Sequence, residues 1–276
     1  MLEALEFGFM RNALLAGILV SISCGIIGTL VVVNRIVFIS GGIAHAAYGG
    51  IGMGYFFKIN PILGAIIFSV FSAMGMGFLQ RRMKERADTL IGVMWAIGMA
   101  IGIIFLDLTP GYKADLMSYL FGSILAVPSQ DLWGMVLINI FILSFVILFY
   151  KELLAISFDE TFATIRNIPV EWLYLLLMAA IALTVGMMMR VVGLIMVIAL
   201  LTIPAAISSQ FAKDLRVMMV IASLLGMLFT TIGLWLSYRL NLTSGATIIL
   251  VAGIAYFFSL ALGKKAQLHR LFKAQN

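Results

Sequence analysis

Few side chains in this 276-residue sequence can do chemistry, and the one that most needs explaining is His45. It stands in FISGGIAHAAYGGIGMGYFF, residues 38–57, a segment apolar enough to cross a bilayer. An imidazole at membrane depth is costly, which makes it a functional candidate by default. Its nitrogen can ligate a passing transition-metal ion. It can also hydrogen-bond a neighbouring span, or touch a gate or a partner subunit without meeting metal. The residue alone leaves all three open. Around it, Gly41, Gly42, Gly49, Gly50, Gly52 and Gly54 remove bulk. Such glycines let helices approach closely, through small-residue faces such as Gly50 with Gly54. They also permit the backbone to unwind beside a pathway.

Other reactive groups are sparse. No carboxylate falls inside an apolar stretch. Asp107, Asp115 and Asp131 flank one loop, and Glu3 and Glu6 precede the first stretch. There they either draw cations to a pathway mouth or act as ordinary interfacial charges. A single cysteine, Cys24, excludes an internal disulfide and a multi-cysteine metal cluster. Together with 18 methionines it offers soft sulfur suited to copper(I), although methionine in a packed span is mostly filler. The chain lacks the G-x-x-x-x-G-K-[ST] phosphate loop; Gly263-Lys264 has neither the earlier glycine nor the following hydroxyl. Any ATP that powers transport is therefore hydrolysed on another polypeptide. The Asn241-Leu-Thr243 sequon reads as incidental.

One polar segment has a design of its own. Residues 151–170 read KELLAISFDETFATIRNIPV. Ser157 and Glu160 have capping-box spacing, which predicts a helix start. Phe158, Phe162 and Ile165 recur at i, i+4 and i+7 and form one apolar face. Asp159 and Glu160 suit the positive end of the helix dipole, and Arg166 the negative end. Pro169 closes the element. The expectation is an amphipathic helix over 157–168, either lying on lipid or seated in a protein groove. Interfacial helices usually carry Lys and Arg on the polar face; the acidic face here favours the groove.

These residues must be positioned by a membrane-embedded frame. The chain is 63% hydrophobic and 11% charged, far more apolar than a soluble domain. Stretches of about 20 apolar residues can span the hydrocarbon. They occur at 9–33, 38–57, 61–79, 90–106, 131–150, 171–189, 191–211, 216–240 and 245–262. A shorter stretch, 116–127, reads as a re-entrant half helix. Pro204 kinks the seventh of the long stretches and frees the carbonyl of Leu200, which Thr202 or a neighbouring helix would serve. The fold class is all-α and polytopic: a single transmembrane domain over 1–276, with about nine spans (eight to ten). The net charge of +6 reflects loops between spans rather than a nucleic-acid surface. If the loops at Arg35, 80–89, 151–170, 212–216 and the tail share one side, that side holds 13 of the 18 basic residues. The positive-inside bias then puts it in the cytoplasm, with the N-terminus outside and the C-terminus inside. Nothing at the N-terminus reads as a cleavable signal.

Several stretches resemble the ABC-3 family, the permease subunits of prokaryotic ABC importers for zinc, manganese and iron. They are RADTLIGVM (86–94), DLMSYLFGSIL (115–125), Phe158–Pro169, VGLIMVIALLTIPAAISS (192–209) and LSYRLNLTSGA (236–246), in the family's order. The resemblance implies a cytoplasmic-membrane protein with no bond chemistry and no permanent cofactor. It implies a second copy as partner, two ABC ATPase subunits that bind the ATP, and an extracytoplasmic metal-binding protein. Besides lipid and these proteins, no nucleic acid is expected. It makes the 157–168 helix the coupling helix, with Ser157, Phe158, Asp159, Glu160, Phe162, Ile165 and Arg166 meeting the ATPase. The family often has Gly where this chain has Asn167, which also tolerates helix-end geometry.

Manganese- and zinc-type members often carry Asp-x-x-x-His in the second span. His45 matches the histidine, but Gly41 replaces the aspartate. The anionic half of the site is missing, so backbone carbonyls or water at Gly41 are expected to stand in. Such a site holds a divalent cargo weakly, as release requires. The metal is not fixed by the sequence. Two alternatives differ in cargo or class: a siderophore or cobalamin permease, generally longer, and an ion-coupled secondary carrier, which usually needs a buried carboxylate.

Overall fold

The computed structural model describes residues 6–83, 87–110, 119–120 and 122–274. Glu3, Asp115 and residues 116–118 and 121 of the expected re-entrant segment lie outside them; of its described residues, 124–126 form a 3₁₀ turn. Among the described residues, eleven α-helices can be bounded: α1 (Gly8–Val33), α2 (Val37–Phe56), α3 (Pro61–Arg82), α4 (Ala87–Leu108), α5 (Ser129–Leu148), α6 (Tyr150–Phe158), α7 (Glu160–Ile165), α8 (Val170–Val192), α9 (Leu194–Phe211), α10 (Leu215–Leu240) and α11 (Ser244–Ala274). A 3₁₀ turn, Ile124–Ala126, precedes α5. Each of the nine expected spans coincides with one long helix. Eight of these are long and apolar enough to cross a membrane. The ninth, α2, has 20 residues but is diluted by its glycines and His45.

The helix ends follow from local chemistry. Asn60 accepts from Ile62 N at 3.0 Å and Pro61 opens α3, a favourable cap followed by a residue that needs no N–H partner. Asp214 caps α10 through Arg216 N and Val217 N. Asn241 ends α10 in the left-handed conformation at φ 53°. Arg81 and Arg82 prolong α3 beyond its expected end at 79; long basic stems keep their charge in water while the helix continues.

The core has two bundles. In one, α2 lies between α3 and α4; in the other, α1 packs on α9 and α10. Both rely on backbone contact. A Cβ on Gly52 would stand 2.1 Å from the carbonyl oxygen of Gly102, and one on Gly28 would stand 2.0 Å from that of Leu201. Between α8 and α9 the only non-helical residue is Gly193, at φ 79°. Gly122, also at positive φ (62°), abuts it: a Cβ there would be 2.2 Å from Gly193 N. This contact accounts for the glycines of both LFGSIL and VVGLIM, since neither position admits a side chain.

The two ends of the bundle are distinct. Asn34, Arg35, Gln80, Arg81, Ser157, Glu160 and Tyr174 gather around one cavity of about 370 Å³. Arg216 lies at the same end, its guanidinium 4.4 Å from the ring centre of Tyr150. The loops expected on one side therefore meet at one end. At the other, Arg190 pairs with Asp131 at 3.1 Å, and Asn12 donates to Val127 O and Ser129 Oγ.

Candidate functional site

The close approach of α2 and α4 sets His45 against Trp95. Their rings stack with centroids 4.0 Å apart and planes 19° from parallel. Trp95 Nε1 points to Met99 Sδ at 3.3 Å, one turn along α4, which fixes the indole from its own helix. His45 is half-buried, and its Nδ1 is buried without a hydrogen-bond partner. An unsatisfied polar atom in such a place costs about 1–3 kcal/mol. That nitrogen has no partner within the chain.

Beside the histidine there is room. Gly41 is buried, yet a Cβ there would meet nothing within 4 Å, and the same holds at Gly92, three residues before Trp95. The adjoining face is filled: a Cβ on Gly42 would be 2.8 Å from Ile91 Cγ2 and 3.2 Å from Met76 Sδ. Phe38, 44% exposed, continues the open side. Residues 38, 41 and 45 thus form one stripe of α2: Trp95 of α4 meets its two ends, at 6.2 Å from Phe38 and 4.0 Å from His45, and leaves space at Gly41 between them. Chemically it offers one imidazole nitrogen and space for water or backbone oxygens. Among the described residues, no three His, Cys, Asp or Glu side chains gather.

The other sequence candidates fall elsewhere. Cys24 is fully buried in the core of α1. Asp131 is engaged by Arg190. Pro204 lies inside α9 without ending it, but Thr202 Oγ1 donates to Ile198 O at 2.8 Å rather than to Leu200. The hydroxyl expected to serve the freed carbonyl bonds the previous turn instead, at the i−4 spacing open to any helical threonine.

The second feature lies at the end where the basic loops meet. The helix expected to begin at Ser157 begins at Glu160. Asp159 is its cap, accepting from Thr161 N at 2.8 Å and Phe162 N at 3.1 Å. Ser157 belongs to the preceding helix α6, and Asn34 Nδ2 donates to its hydroxyl at 3.0 Å. Two cap-competent residues stand two apart in the sequence; the carboxylate wins because the serine hydroxyl is taken by α1's end. The helix also stops at Ile165, with Asn167 at φ 57° completing the turn.

The three apolar residues are all exposed but do not share one groove: Phe158 and Phe162 line one, and Ile165 lines another with Arg81 and Glu160. Phe158 is 76% exposed, Phe162 50% and Ile165 75%. Arg166 lies over Phe162 at 5.1 Å. Between α6 and α7 a groove of about 400 Å³ is lined by Lys151, Glu152, Phe158, Phe162 and Arg166 among others. The inner side is anchored. Ala163 is fully buried, and Glu160 pairs with Arg81 at 2.5 Å. Arg81 lies 5.2 Å over the ring of Tyr174, whose hydroxyl bonds Gln80. Sequence reasoning singled out Glu160 but missed Arg81, Gln80, Tyr174 and Asn34, the residues that tie this short helix to α1, α3 and α8. Trp95 was missed as well; its one signal is an indole N–H set within an apolar span.

Comparison with known proteins agrees with this geometry. The chain is 62% identical over 261 residues to an uncharacterized membrane protein of Synechocystis sp., covering 95% of this chain and 93% of that one. It is 34% identical to the manganese transport system membrane protein MntC of Listeria monocytogenes, with the same coverages. Its fold matches PsaBC from Streptococcus pneumoniae, solved in complex with Fab, with a TM-score of 0.83 and 30% identity over 94% of this chain and 93% of that one. The model of the ABC 3 transport family matches residues 6–263. The chain is a multi-pass membrane protein and belongs to the ABC 3 transport family.

Proposed function

We propose that this chain is the permease subunit of an ATP-driven importer for a divalent transition metal, working as two copies in the cytoplasmic membrane. Two ATPase subunits sit beneath it and an extracytoplasmic metal-binding protein delivers the ion. The observation that carries the reading is the exposure of Phe158, Phe162 and Ile165 on α6–α7, with Glu160 of α7 paired to Arg81 of α3. Apolar residues exposed outside the spans need a partner, and the pair gives a partner that moves them a link to α3.

The mechanism follows from these parts. ATP binding draws the ATPases together and displaces α6 and α7. The anchor from Glu160 to Arg81 passes that displacement to the end of α3. From α3 it reaches α2 through their close packing. Movement of α2 and α4 changes the side to which His45 and the space at Gly41 open, as alternating access requires. One nitrogen and neutral oxygens hold a dication loosely, so it leaves again. Zinc, manganese and iron all suit such ligands; the naming of the Listeria relative for manganese makes manganese the first cargo to test.

The test is reconstitution of the permease with its ATPase. Phe162→Asp should abolish co-purification of the ATPase while leaving the permease monodisperse. Undiminished association would remove α6–α7 from the coupling role.

A further inference from the structure

A second concavity lies on the flank of the bundle, between α1, α5 and α10, and plays no part in the transport path. It is a groove of about 640 Å³, walled by aliphatic residues such as Ile147 (73% exposed), Val220 (58%) and Leu224 (59%). All three helices are candidate spans, so these walls lie at hydrocarbon depth. Its one charged lining residue is Arg216 at the basic-loop end, over the ring of Tyr150. Among the described residues, none that lines the groove is acidic. Along α10 the lining runs from Arg216 to Met227, which at 1.5 Å per residue is about 16 Å. That is about half of a ~30 Å hydrocarbon core. The groove therefore has the depth of a single leaflet, with its one cation at headgroup level.

We infer that this groove is a binding site for one anionic phospholipid of the cytoplasmic leaflet. An acyl chain lies between α1, α5 and α10, and the phosphate meets Arg216. The charge pattern decides the occupant. A zwitterionic lipid would fill the walls equally well but would bring a cationic group beside an unneutralised guanidinium. Basic pockets between spans on this side of a membrane are suited to anionic headgroups. Tyr150 holds the guanidinium by a cation–π contact at the same level, so the phosphate meets a cation already in place.

The test is native mass spectrometry of the full chain, purified in mild detergent and offered equal amounts of phosphatidylglycerol and phosphatidylcholine with matched acyl chains. The wild type should retain phosphatidylglycerol about five-fold over phosphatidylcholine, the preference one surface cation confers. Arg216→Gln should bring that ratio to about one, and Arg216→Lys should keep it. Leu224→Trp, which fills the groove, should lower retention of both lipids. A wild-type ratio in Arg216→Gln would overturn the site, as would a wild type that retains neither lipid. Efficient disulfide cross-linking of two Val220→Cys copies would also overturn it, by assigning the groove to a contact between subunits. Size-exclusion profiles matching the wild type guard against reading misfolding as lost binding.

Discussion

At His45 two costs meet: a ring nitrogen is buried without a partner, and a glycine leaves space where a side chain fits. On the proposed pathway both are explained by a cargo that occupies them only in passing. His45→Ala should lower metal uptake at sub-saturating ion while assembly with the ATPase stays intact; unchanged uptake across concentrations would remove His45 from the path. Gly41→Asp should be tolerated, because its Cβ meets nothing within 4 Å. It should lower the KM for manganese uptake by supplying the missing anionic ligand, and slow release should limit kcat. A KM equal to the wild type's would mean that the open space is not beside the ion. Gly52→Ala is the contrasting case: a Cβ 2.1 Å from a backbone carbonyl forces α2 and α4 apart, and the expected outcome is loss of folded protein on size exclusion. The histidine was legible from residue type and depth alone. Its stacking on Trp95 was not, because fifty residues separate the two and only the glycine-driven approach of α2 and α4 joins them.

At the scale of the element, α7 is a six-residue helix that its own propensity cannot sustain, since isolated helices this short are marginal in water. It depends on the Asp159 cap, on buried Ala163 and on the Glu160–Arg81 pair. Asp159→Ala should cost about 1 kcal/mol locally and appear as faster amide exchange over 160–165. Unchanged exchange there would show that tertiary contacts alone hold the turn. Arg81→Gln should behave differently. The pair is partly exposed, with side-chain accessibilities of 27% and 48%, so its contribution to stability is about 1 kcal/mol or less. The account expects ATPase binding to persist and ATP turnover to continue with reduced metal uptake, because the link from α7 to α3 is cut. A proportional fall in turnover and uptake would contradict the linkage. The apolar residues were readable from spacing, but their distribution was not: extended Asp159 separates α6 from α7, Phe158 and Phe162 line one groove, and Ile165 lines another. The boundary was not readable, because only Asn34, on a different helix, decides that Ser157 is unavailable as a cap.

For the molecule as a whole, hydropathy was enough to locate nine long helices, since the bilayer sets their length before packing is considered. The pairing of those helices was hidden. It depends on glycines that meet across the fold, as Gly122 meets Gly193, and period and composition carry no record of partners. The proposed coupling links two features: a surface moved by ATPases at the basic-loop end, and a weak ion site within α2. The most direct measurement is uptake of radiolabelled Mn²⁺ into vesicles containing the permease, its ATPase and the binding protein, with ATP supplied on the face that carries Phe162. The account predicts uptake that requires ATP on that face, fails in Phe162→Asp, and falls in His45→Ala with ATP turnover preserved. Uptake that proceeds without ATP, or that is unaffected by the loss of Phe162, would contradict it.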